Sequence, residues 1–84
     1  MSAARFRQRA AKKGVRLSRK TSMLYSGNHL FINGASFAIS RANRKPLIAL
    51  ANERWLSGAD AAAASDDVQE ALHTWYEDGW LTLP

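Results

Sequence analysis

Two histidines, seven carboxylates and three tryptophans are the residues of this 84-residue chain with most chemistry to offer, and their spacing decides what they can do. His29 and His73 are its only imidazoles. Neither has a second ligand at i+4 or a His-x-Asp pattern, whereas a metal centre needs three or four donors converging at set distances. They read as one surface histidine and one at the rim of a core, with no metal expected. The pairs Asp66-Asp67 and Glu77-Asp78 suggest acid-base work, but adjacent residues of a helix point in different directions. Asp66, Asp67 and Glu70 fall in the first turns of a predicted helix, where they complement its positive end. Glu77 and Asp78 lie toward the other end, where the dipole does not favour them, which leaves a contact role. No nucleophile elbow, phosphate-binding loop or Ser/His/Asp set assembles. The absence of cysteine removes disulfides, thiolate zinc sites and cysteine nucleophiles together. No catalytic, cofactor-binding or metal-binding residue is expected.

The tryptophans stand at 55, 75 and 80, near predicted helix ends. In a small domain such residues supply bulk, so Trp55 and Trp75 are expected in the core. Trp80 divides between the core and an exposed interface anchor.

The elements that must position these residues are legible in patches. Residues 2–13 favour helix and Gly14 stops it, but only Phe6 and the alanines at 3, 10 and 11 offer an apolar side, so a fraying arm is expected. Residues 21–39 alternate in the manner of strands around two turn signals, Gly27-Asn28 and Asn33-Gly34, predicting a three-strand antiparallel meander. Ser40 or Asn43 can cap the next helix, Pro46 suits its first turn, and Leu47, Leu50 and Ala51 form its buried stripe, with Trp55 and Leu56 locking its end. Residues 57–64 read as a turn into a short alanine-rich helix. Ser65 or Asp66 opens the last helix, with Gln69 as a capping-box partner and Val68, Leu72, Trp75 and Tyr76 on its inner face. Gly79 ends it, and residues 80–83 form a terminal strand able to pair with the meander.

Size and charge bound the function. A chain of this length buries about 60% of its open surface, which allows one modest core and little room for a cofactor domain. Apolar residues at 46% and charged residues at 23% exclude wholesale disorder. The net charge of +5 conceals an asymmetry: residues 1–45 carry eleven basic and no acidic residues, whereas residues 46–84 carry seven acidic residues and Arg54 alone as a base. No run of about 18 apolar residues is present to span a membrane, and no apolar stretch follows the basic N-terminus as a secretory signal requires. The cytoplasm is the expected location.

The overall expectation is an α+β, winged-helix-like domain over residues 21–84. A small antiparallel sheet, the meander plus the C-terminal strand, would pack on three helices, and residues 1–20 would form a basic arm or linker helix. The second helix of a winged-helix pair reads DNA, but here it holds Asp66, Asp67, Glu70, Glu77 and Asp78 and no lysine or arginine, so phosphates would repel it.

The segments His29-Leu-Phe-Ile-Asn-Gly-Ala-Ser-Phe37, Leu47-Ile-Ala-Leu-Ala-Asn-Glu-Arg-Trp-Leu56 and Leu72-His-Thr-Trp-Tyr-Glu-Asp-Gly-Trp-Leu81 together resemble the C-terminal winged-helix region of bacterial cupin (JmjC-type) proteins, the ribosomal oxygenase family. The resemblance runs from about Phe6 to Leu83. It implies an accessory domain, excised or stand-alone, of an Fe(II)- and 2-oxoglutarate-dependent enzyme that hydroxylates a ribosomal protein. The family's iron ligands, a His-x-Asp pair with a distant His, have no counterpart, since Leu30 and Phe31 follow His29 and Thr74 and Trp75 follow His73. The expected partners are the parent's own catalytic or dimerisation domains, or a basic ribosomal-protein client, met through Asp67, Glu70, Glu77, Asp78 and Trp80. The alternative is weak nucleic-acid binding through Arg5, Arg7, Arg9, Lys12, Lys13, Arg16, Arg19 and Lys20.

Overall fold

Ser2 starts the chain's first helix by accepting a hydrogen bond on its Oγ from Arg5 N (3.2 Å), and Gly14 ends it with φ +77°, its N–H returning to the Ala10 carbonyl (2.8 Å). A computed structural model describes all residues from Met1 to Pro84. In chain order the elements are α1 (Ala3–Lys13), β1 (Val15–Leu17), β2 (Met23–Ser26), β3 (His29–Ile32), β4 (Ala35–Ala38), α2 (Arg44–Glu53), β5 (Trp55–Leu56), α3 (Gly58–Ala63), α4 (Asp66–Glu77) and β6 (Leu81–Thr82). The arrangement is α+β, as expected for a winged-helix domain, with four helices and two small antiparallel sheets.

The meander is present with both turns. At the second turn Asn33 (φ 47°) and Gly34 (φ 86°) both take positive φ, as a two-residue turn matched to the twist of its strands requires. Met23, Leu30 and Ile32 face inward, while Leu24 and Phe31 pair on the outer face.

Residues 1–20 differ from the arm that composition suggested. Phe6, Ala10, Val15 and Leu17 are buried in the same core as the rest of the chain. α1 lies close against α3 because Gly58 has no side chain: a Cβ there would stand 2.5 Å from the Ala11 carbonyl oxygen. A single phenylalanine and an alanine suffice for docking when the opposing helix is this small-sided.

The terminal strand also finds a different partner. β6 pairs with β1, not with the meander, and β1 is the centre of a second sheet of order β5-β1-β6. The Trp80 carbonyl accepts from Ser18 N (2.9 Å) and Thr21 Oγ1 (2.6 Å), tying the turn before β6 to the segment after β1. Trp55 therefore does not lock α2 from inside. It lies on the edge strand β5 with its side chain outward, 43% exposed, while its neighbour Leu56 is buried. Trp75 is in the core, as expected, and Trp80 is half-buried.

A candidate protein-interaction face on the last helix

Asn43 occupies the position before α2 but does not cap it with its side chain. Its carboxamide is buried and fully used: Oδ1 accepts from Ser40 N (2.7 Å), and Nδ2 donates to the Ala38 carbonyl (3.3 Å) and to Asp67 Oδ2 (3.1 Å). This places Asp67, in the first turn of α4, across from the start of α2. The other carboxylate oxygen of Asp67 accepts from Ser65 Oγ. The Ser65 hydroxyl and then the Asn43 amide hold the Asp67 pKa below its ordinary value, against the small opposing effect of burial. Asp67 is thus a latch between two helix starts as well as a surface charge.

Gln69 does not close a capping box. It is buried, with Nε2 donating to the Ala64 carbonyl (2.9 Å) and Oε1 accepting from Arg7 Nε (2.7 Å). Arg7 also donates through Nη2 to Asp66 (2.8 Å), so one expected nucleic-acid contact is instead a bridge from α1 to α4. It forms the one ion pair between an arginine or lysine and a carboxylate.

Glu70, Thr74 and Glu77 follow at i, i+4 and i+7, exposed along the outer side of α4, and Asp78 continues the same charge at its end. Glu77 approaches only His73 Nε2, at 3.7 Å. Beside this row a cleft of about 320 Å³ opens between α4 and β4, lined by Phe37, Asp67, Glu70, Ala71, Thr74 and Trp75. Phe37 meets Trp75 edge-on, with centroids 5.9 Å apart and planes at 72°. An apolar floor under two carboxylates suits a lysine or arginine, whose methylenes cover the half-buried Phe37 ring, backed by the buried Trp75, while the head reaches the acids.

Glu77, Asp78 and Trp80 do not line the cleft, although Glu77 shares the acidic row. Phe37, Thr74 and Trp75 were not singled out by sequence as contact residues: the Phe37–Trp75 pairing spans two elements, and no local pattern announces it. Of the basic residues, Arg5, Arg9 and Lys12 recur on one flank of α1, Arg16 lies on β1, and Arg19 and Lys20 follow it. Lys13 ends α1, and Arg16 and Arg19 line one cleft together with Arg54. His73 stands at the rim of the core, its ring 5.4 Å from Phe6 and its Nε2 donating to the Met1 carbonyl (2.9 Å).

The family model described as ROXA-like winged helix matches residues 1–82. The chain belongs to that family. No curated protein and no solved structure is matched. The match to the ROXA-like winged helix takes in α1 and β1, in keeping with the shared core. Its last helix α4, which stands where such folds usually read DNA, turns an acidic row outward. No helix of this ROXA-like winged helix is long and apolar enough to cross a membrane.

Proposed function

We propose that this ROXA-like winged helix is a non-catalytic accessory module of a cupin-type, Fe(II)- and 2-oxoglutarate-dependent ribosomal-protein hydroxylase, and that its α4 face receives a basic protein segment. The observation that carries the reading is the acidic row of Glu70 and Glu77, free of arginine and lysine partners, beside the Phe37–Trp75 cleft. Complementary charge speeds and orients such an encounter, and the aromatic floor adds contact area once water is expelled. The chain's own residues do not fit an iron centre. His29 is an exposed strand residue, His73 is packed on Phe6, and no three of its His, Asp and Glu side chains converge where an ion could be held. The iron and 2-oxoglutarate belong, in this reading, to a catalytic domain elsewhere in the parent.

The test is titration of the full chain with an arginine- and lysine-rich ribosomal-protein peptide, followed by amide chemical shifts and by tryptophan fluorescence. Shifts should map to Phe37, Glu70, Thr74 and Trp75, and Glu70→Lys with Glu77→Lys should weaken binding at least about tenfold. Equal binding by the doubly reversed variant, or shifts confined to another face, overturns the reading.

A further inference from the structure

A second surface, made by the other sheet, has the opposite chemistry. In β1 the side chains of Val15 and Leu17 enter the core, so Arg16 between them points outward. Its cross-strand neighbours are Trp55 on one side and Thr82 on the other. Directly opposed residues of an antiparallel pair hold their Cβ atoms about 5 Å apart, so the Arg16 guanidinium and the Trp55 indole share one outward row. Arg54, at φ 64°, precedes Trp55 and donates through Nη2 to the Ser18 carbonyl (2.9 Å), which fixes its planar head while leaving other N–H groups free. Arg19 completes a cleft of about 330 Å³ with Arg16, Leu17, Arg54, Trp55 and Glu53. None of the three arginines pairs with a carboxylate, Glu53 included. Trp55 is 43% exposed while Trp75 is 5% exposed, so the fold buries one indole and leaves the other among free guanidiniums.

We infer that this face binds single-stranded nucleic acid, with a base stacked on Trp55 and the adjoining phosphates held by Arg16, Arg19 and Arg54. Both halves of the ligand are matched: an indole stacks on any base, and arginine forks suit phosphate. An acidic peptide would engage the guanidiniums but leave the indole without a flat partner. A duplex presents its bases only as edges and is read by a helix or ribbon entering a groove, whereas strands of two and three residues offer a platform about 7–10 Å long, enough for one or two unstacked bases. The face is distinct from the α4 row, so it extends the proposed function without depending on it.

The test uses the full chain and a fluorescein-labelled oligouridylate of about ten nucleotides, read by anisotropy across a salt series. Binding should fall steeply with salt, and Arg16→Gln and Arg19→Gln should each reduce the slope by about one. Trp55→Ala should weaken binding about tenfold or more at fixed salt, and Trp55→Phe should restore most of it. Trp55 and Arg19 are exposed, so these variants retain the core, which a circular dichroism melt checks. Polyglutamate, heparin and phosphatidylserine vesicles serve as base-free polyanions. The inference is overturned if the oligonucleotide does not bind, if Trp55→Ala binds it as the unaltered chain does, or if a base-free polyanion shows the same dependence on Trp55. Glu70→Lys with Glu77→Lys should leave the loss caused by Trp55→Ala unchanged, which separates this outcome from that of the α4 proposal.

Discussion

The β2-β3-β4 sheet takes its strands from residues 23–38, joined by two-residue turns, whereas the β5-β1-β6 sheet gathers strands from residues 15–17, 55–56 and 81–82. The first is local and carries its own turn chemistry. The second has no turn of its own and forms only when α2, α3 and α4 have brought its edges beside β1. Their outer faces differ as well: Leu24, Phe31 and His29 on one, Arg16 and Trp55 on the other. A sheet assembled from distant segments places side chains together that no window of sequence can pair.

The strongest way to break this contrast is through α1, which packs on α3 and α4 and leads directly into β1. Phe6→Ala should cost about 3–5 kcal/mol, a large part of a small domain's stability, by opening a cavity beside Tyr76 and His73. Urea denaturation measures it, and a loss below about 1 kcal/mol would return residues 1–13 to the status of an arm. Glycines then compare the two sheets directly. Gly14 has φ +77° and ψ −173°, a region almost reserved for glycine, and a Cβ there would collide with the Leu56 carbonyl oxygen of β5. Gly14→Ala should therefore cost about 3 kcal/mol. Gly34 has φ +86° but open space around its Cβ position, so Gly34→Ala should cost only about 1 kcal/mol from backbone strain. Equal losses in thermal or urea unfolding would remove the distinction.

The smallest effect sharpens the role of Asp67 where the meander, α2 and α4 meet. Its folded pKa lies below the ordinary 3.8, so its stabilising contribution is complete above that value and is lost as pH falls through the lower folded value. Asp67→Asn removes a negative charge from the positive end of α4 and should cost about 0.3–1 kcal/mol at neutral pH. The difference from the unaltered chain should shrink as pH falls below 3.8 and through the lower folded value in a pH series of urea midpoints. A difference that persists there would assign the loss to packing rather than to the carboxylate.

Much of the architecture was legible because its signals are short-range. Gly27-Asn28 and Asn33-Gly34 mark turns wherever they stand between alternating residues, and the Val68, Leu72, Trp75 period marks a buried helical face. The acidic row on α4 was equally open to reading, since Glu70 and Glu77 project from a helix whose inner side is known. The sheet around β1 was not. Val-Arg-Leu is too short to display a period, and it follows a helix so basic that composition argues for solvent. Ser40 or Asn43 was read as the cap because both types fit one, but the Asn43 acceptor Oδ1 turns back to Ser40 N while its amide donates to Ala38 and Asp67. Gln69 likewise left the capping box for Arg7 and the Ala64 carbonyl.

By itself the sequence determined the local elements, their inner and outer sides, the split between basic and acidic halves, and the lack of a His-x-Asp pattern, because each depends on residues within a turn or two of one another. Only the tertiary structure decided that β6 joins β1, that α1 belongs to the core, that Phe37 and Trp75 floor a cleft, and that Trp55 stands outside beside Arg16. Those outcomes depend on which distant surfaces bury the most apolar area together with every backbone group paired. That competition is settled by the whole chain at once.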